Sequence, residues 1–117
     1  MPGRITIRAR GVRRVPGEMN KTEAAYAEHL EARKLAGEIA AYWFEAIKLR
    51  LADNTTYTPD FFVMLPNGLL ECHEVKGFWR DDAKVKIKVA ADKYPFRFIA
   101  VTREPKKLGG GWKVEEF

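Results

Sequence analysis

Apolar residues recur along this chain with two different periods, and the changes of period divide it into elements. Ala24, Tyr26, Ala27, Leu30 and Leu35 form a stripe at near-helical spacing, and Asn20 or Thr22 stands where an N-cap belongs. Gly37 is placed to end that helix as its C′ residue, so a helix is predicted over residues 21–36. Alternation then takes over. Tyr42-Trp43-Phe44 is β-prone, and Glu45, Ile47, Leu49 and Leu51 alternate with Ala46, Lys48 and Arg50. This predicts strands at 41–51 and 55–65, joined by Ala52-Asp53-Asn54. Pro66-Asn67-Gly68 is a turn signal, and a third strand at 68–76 completes a β-meander.

Asp81 is an N-cap candidate for a second helix at 82–93, carried by Ala83, Ile87, Ala90 and Ala91 and stopped by Pro95. Phe96 to Val101 is a nearly continuous apolar run, the pattern of a strand buried on both faces. Gly109-Gly110-Gly111 leads to a short terminal segment at 112–114. The predicted order is α-β-β-β-α-β, which makes an α/β domain with a mixed central sheet flanked by helices and a fourth strand reached by a helical crossover. Residues 1–18 lack a core pattern. Gly3, Gly11, Pro16 and Gly17 are set among arginines; the alternation of Ile5, Ile7 and Val12 allows a short strand, but a basic flexible arm is expected ahead of a single domain over residues 19–117.

Charge sharpens that division. The net charge is +5, and Arg4, Arg8, Arg10, Arg13 and Arg14 all precede the first acidic residue, Glu18. The remainder holds 16 basic and 16 acidic residues, so the excess positive charge belongs to the arm. Such an arm suits a phosphate backbone, although a solubilising tail has the same composition. No apolar run is long enough to span a bilayer, and the Arg-rich start lacks the apolar core of a signal peptide. The single cysteine, Cys72, leaves no intramolecular disulfide and no cysteine zinc cluster, which makes a cytoplasmic setting the expectation.

Candidate chemistry lies on the central hairpin. Side chains alternate along a strand, so Glu74 and Lys76 share a face with Leu70 and Cys72. A hairpin register centred on residues 66–68 sets Asp60, which follows Pro59, across from Glu74. Charged side chains on an inward face are costly unless paired or bound to a metal. Two adjacent carboxylates repel until a hard cation such as Mg²⁺ sits between them, and such an ion activates water and phosphate esters. A lysine beside them can orient water and offset charge in the transition state. The pattern therefore points to metal-assisted phosphodiester hydrolysis. Asp60 also reads as a turn residue and Glu74–Lys76 as a solvated pair, but the apolar neighbours favour the inward reading. His73, on the opposite face, reads as a surface or packing residue, as does His29.

Pro59-Asp60 followed by Glu74-Val75-Lys76 resembles the signature of the PD-(D/E)XK nuclease superfamily. Asn20-Lys21-Thr22-Glu23, the compact size and Glu74-Val75-Lys76-Gly77 resemble small phage-encoded nucleases of the Holliday-junction-resolvase type. The resemblance covers residues 19–102 and implies a restriction-endonuclease-like core. It implies that Asp60, Glu74 and the Val75 carbonyl bind Mg²⁺, with Mn²⁺ as a substitute, and that Lys76 positions the attacking water. Glu23 would complete the metal site, although Glu28 and Glu31 lie on the same helix and a solvated helical glutamate is the other reading of Glu23. Products would be a 5′-phosphate and a 3′-hydroxyl. The implied partner is branched duplex DNA, cut symmetrically by a homodimer, in the host cytoplasm for a phage protein. The arm arginines, Arg80, Lys84 and Lys88 are the expected phosphate contacts, and the small size favours recognition of shape through the backbone. Rival readings are a nickase, a mismatch, repair or single-strand-directed nuclease on the same scaffold, a non-catalytic DNA-binding module, and a structural protein with a basic tail.

Overall fold

The structure is a computed structural model that describes residues 17–77 and 81–117. The arm arginines Arg4 to Arg14, and Arg80, lie outside the described residues. Helix α1 spans Lys21–Leu35, β1 Ala41–Phe44, β2 Leu49–Ala52, β3 Thr55–Tyr57, β4 Phe61–Met64 and β5 Leu70–Lys76. Helix α2 spans Asp81–Lys93, β6 Arg97–Arg103 and β7 Trp112–Glu116, with a 3₁₀ turn at Lys106–Leu108 between the last two strands. The chain is thus mixed α/β, built on a five-stranded mixed sheet in the order β1-β4-β5-β6-β7.

Local chemistry sets the helix ends. Asn20 is the N-cap of α1 and forms a reciprocal capping box with Glu23, which satisfies two backbone donors at once. At the other end the Gly37 and Glu38 N–H groups bond back to Lys34 and Arg33, a Schellman closure that requires the positive φ of Gly37. Pro95, just beyond α2, cannot continue that helix.

The two long strands expected at 41–51 and 55–65 are each divided. Glu45 adopts a left-handed φ of 49°, and its N–H bonds to the Asp60 carbonyl, which turns the chain out of β1. Thr58 and Pro59 interrupt the other run, since proline brings no N–H to a ladder. The intervening residues fold as a separate ribbon, β2 paired antiparallel with β3 through a turn at Asp53-Asn54. The meander is therefore β1-β4-β5, with β1 paired to β4 rather than running on into a hairpin. The terminal segment, foreseen only as short, is a full edge strand against β6.

Alternation along the central strands makes two cores. On one face Phe61, Val63, Val75, Ile99 and Val101 pack beneath Tyr26 and Leu30 of α1. On the other, Cys72 and Phe98 pack with Ile87 and Ala90 of α2 and with Leu49, Leu51 and Tyr57 of the ribbon. Strand β5 is therefore covered on both faces through its middle, as a central strand in a crossover sheet must be.

Candidate active site

Pairing in the β4–β5 hairpin sets Phe61 opposite His73, so Asp60 falls at the level of Glu74, where the sequence register places it. The turn that fixes this register is held by the Leu65 N–H on the Leu69 carbonyl and by Asn67 Oδ1, which accepts from the Leu69 N–H. Beyond Phe61 the β4 ladder has ended, and Asp60 Oδ2 takes its place by accepting from the Val75 N–H at 2.8 Å. Because N–H and C=O of a strand residue point to the same side, the Val75 carbonyl also faces this strand end.

Glu74 is 8 % exposed, on the face covered by α2 and the ribbon. Tyr57 donates to its Oε1 at 2.6 Å, and Lys76 Nζ lies 3.3 Å from its Oε2. Glu23 is 4 % exposed, on the sheet-facing side of α1 with Tyr26 and Leu30. One of its oxygens serves the capping box, and its charge acts on Asp60. The Asp60 carboxyl is held well above the usual carboxylate range, first by burial and then by Glu74 and Glu23, with the Val75 N–H and Lys76 offsetting in part. Burial also pushes Glu74 up, against Lys76 and Tyr57. The fold thus brings Asp60, Glu74 and Lys76 together and places Glu23 within electrostatic reach. Burial raises the Cys72 thiol to about 12, so it stays protonated beside them.

These are hard oxygen donors, the set that Mg²⁺ or Mn²⁺ accepts. Among the described residues no three His, Cys, Asp or Glu side chains are gathered into a ready metal cage. The donors still fit Mg²⁺, which is commonly held by one or two carboxylates with water filling the remaining positions. Of the proposed phosphate contacts, Lys88 is exposed on α2, whereas Lys84 pairs with Glu115 of β7 at 3.4 Å.

The opposite face of β5 holds a network the sequence reading missed. His73 is fully buried; its Nδ1 is bonded to the Tyr26 hydroxyl at 2.7 Å and its Nε2 to Glu71 Oε1 at 2.8 Å. Arg97 donates to Glu71 Oε2 at 3.0 Å and also pairs with Glu116. A cavity of about 280 Å³ between α1 and the β6–β7 edge is bounded by Tyr26, His29, Arg33, Glu71, Arg97 and Trp112. Both its guanidiniums are paired, Arg33 with Glu38 and Arg97 with the two glutamates. The available signal was alternation itself, which puts Glu71, His73 and Val75 on one face. Tyr57 was missed because its role depends on a ribbon folding back over the sheet.

Comparison of the chain with protein-family models, with curated proteins and with solved structures finds no match.

Proposed function

We propose that this chain is a divalent-metal-dependent DNA endonuclease acting on branched duplex DNA. The observation that carries the reading is the placement of half-buried Asp60 beside buried Glu74 at the end of the β4–β5 ladder, with Lys76 against Glu74. Like charges buried together are expensive, and a bound cation relieves the cost. The order of elements adds support. With the ribbon taken as an insertion and β7 as an added edge, α1, β1, β4, β5, α2 and β6 follow the α-β-β-β-α-β order of a restriction-endonuclease-like core.

In this reading Asp60, Glu74 and the Val75 carbonyl hold Mg²⁺ or Mn²⁺, with Glu23 completing the set directly or through water. The ion supplies Lewis acidity toward a phosphate oxygen and lowers the pKa of water. Lys76 offsets charge that builds on the phosphate and orients the attacking water. Lys84, Lys88, Arg80 and the arm arginines follow the phosphate backbone, and a homodimer delivers paired cuts.

The test is cleavage of a synthetic four-way junction with and without Mg²⁺, beside nicked, mismatched, linear and single-stranded DNA. The expected outcome is Mg²⁺-dependent cleavage strongest on the junction, abolished in Asp60→Asn while junction binding is kept or strengthened. Strongest cleavage of another substrate would redirect the reading to a nickase or repair nuclease. Undiminished cleavage by Asp60→Asn would remove the site altogether, and binding without any cleavage would leave a non-catalytic module.

A further inference from the structure

The β2–β3 ribbon stands outside the main sheet, yet one of its side chains reaches the candidate site. Tyr57, the last residue of β3, is buried and donates its hydroxyl hydrogen to Glu74 Oε1 at 2.6 Å. Its placement is secured from the outside. Leu49 and Leu51 pack with Ile87 and Ala90 of α2 in the same core as Tyr57. The Tyr94 hydroxyl bonds to the Arg50 carbonyl at 2.7 Å, and Lys86 Nζ to the Thr56 carbonyl at 3.3 Å. With these anchors the phenol meets Glu74 at a fixed point.

A carboxylate at the end of a glutamate side chain has three torsions to settle. Lys76 sits at Oε2, but its long chain is partly exposed and restrains Glu74 only loosely. Tyr57 is different, because its ring is packed in the core and its O–H has one direction. Together with the Asp60 backbone N–H, which also reaches the Glu74 carboxyl, the bond orients Glu74 beside Asp60 and leaves lone pairs for a further partner.

We propose that Tyr57 is a positioning residue for Glu74, and that the β2–β3 ribbon exists in this fold to deliver it. The proposal rests on the reading of Asp60 and Glu74 as a cation site. Outer partners that orient a ligating carboxylate set metal affinity, and losing one typically weakens binding about 10- to 100-fold.

The experiment is calorimetric titration of Mn²⁺ into the wild-type chain and three variants, with the Mg²⁺ dependence of cleavage measured in parallel. Tyr57→Phe removes the hydroxyl and keeps the ring. Tyr42→Phe is the control, since it removes a comparable hydroxyl, bonded to Glu31 at 2.7 Å, from outside the site. Glu74→Gln removes the ligand itself. Tyr57→Phe is expected to weaken Mn²⁺ binding about 10- to 100-fold and to recover cleavage as Mg²⁺ is raised, while Tyr42→Phe binds as wild type does. Unchanged affinity in Tyr57→Phe, or an equal loss in Tyr42→Phe, overturns the positioning role and leaves the nuclease reading standing. A wild-type chain whose Mn²⁺ binding is absent or indifferent to Glu74→Gln overturns the cation site, and the positioning role with it.

Discussion

On the α1 face of β5, Glu71 accepts from His73 and Arg97, and these donors hold its carboxyl below the usual carboxylate range. On the α2 face, Glu74 accepts from Tyr57 and Lys76, yet burial holds its carboxyl above that range, and Asp60 beside it is raised further by like charges. Both glutamates belong to one strand and are nearly equally buried, at 5 % and 8 % exposure. The difference lies in their compensation. Glu71 has a cation and an imidazole of its own, whereas among the described residues Asp60 and Glu74 share Lys76. Burial of charge therefore does not by itself mark a functional site; the closed Glu71 network satisfies its own charges, and the less compensated Asp60–Glu74 pair is the one to which the proposed cation is assigned.

Removing charge from each face in turn should affect cleavage and stability differently. Lys76→Ala should slow cleavage by the folded chain at least about 10²-fold, the scale of one positioned charge in a transition state. Glu71→Gln should do the reverse, costing about 1–3 kcal/mol of stability while the folded fraction cleaves normally. Denaturant melts beside single-turnover rates would show it, and a lost rate in Glu71→Gln would merge the two faces into one site.

Glu23 separates capping from chemistry. Glutamine also serves in a capping box, so Glu23→Gln should melt within about 1 kcal/mol of wild type and yet lose cleavage. Glu28 is exposed on the same helix, and Glu28→Gln should leave both properties intact. Similar activity in the two variants would return Glu23 to the cap alone.

The smallest effect is on pH dependence, and its sign differs between the faces. Glu71 has a lowered folded pKa, so its contribution is full above the unfolded value of about 4.3 and fades as pH falls through the folded value. His73 is also lowered, chiefly by burial, so the unfolded chain gains a proton first as pH falls below about 6.5, and stability declines there too. Asp60 is raised, so the folded chain keeps a proton that the unfolded chain has lost, and stability falls as pH rises from about 3.9 through the folded value. Melting curves in chelator across pH 3–8 should show a flatter acid limb in Glu71→Gln and a flatter rising-pH decline in Asp60→Asn. The same slope in all three proteins would remove the electrostatic distinction.

The grouping of Asp60, Glu74 and Lys76 was legible because it depends on short-range rules. The Pro66-Asn67-Gly68 turn sets the β4–β5 register, and strict alternation then carries Asp60 to Glu74 and puts Lys76 on the same face. The bounds of α1 and α2 were equally local, written in Asn20, Gly37 and Pro95. The strand breaks were not. Glu45 is an ordinary residue in an alternating run, and its left-handed turn pairs with the Asp60 carbonyl, a contact 15 residues away in sequence.

A mixed α/β chain with two helices, the first of them capped, a central hairpin and an Asp60–Glu74–Lys76 grouping could be read from local pattern, because turn chemistry and period-two alternation act over a few residues. Long-range packing is what brings Tyr57 from a separate ribbon onto Glu74, closes the network of Tyr26, His73, Glu71 and Arg97 beneath α1, and buries Glu23 within reach of Asp60. Those contacts join residues up to 47 positions apart, as from Tyr26 to His73. They arise from the packing of whole elements, and a local pattern carries no record of which element will cover which face.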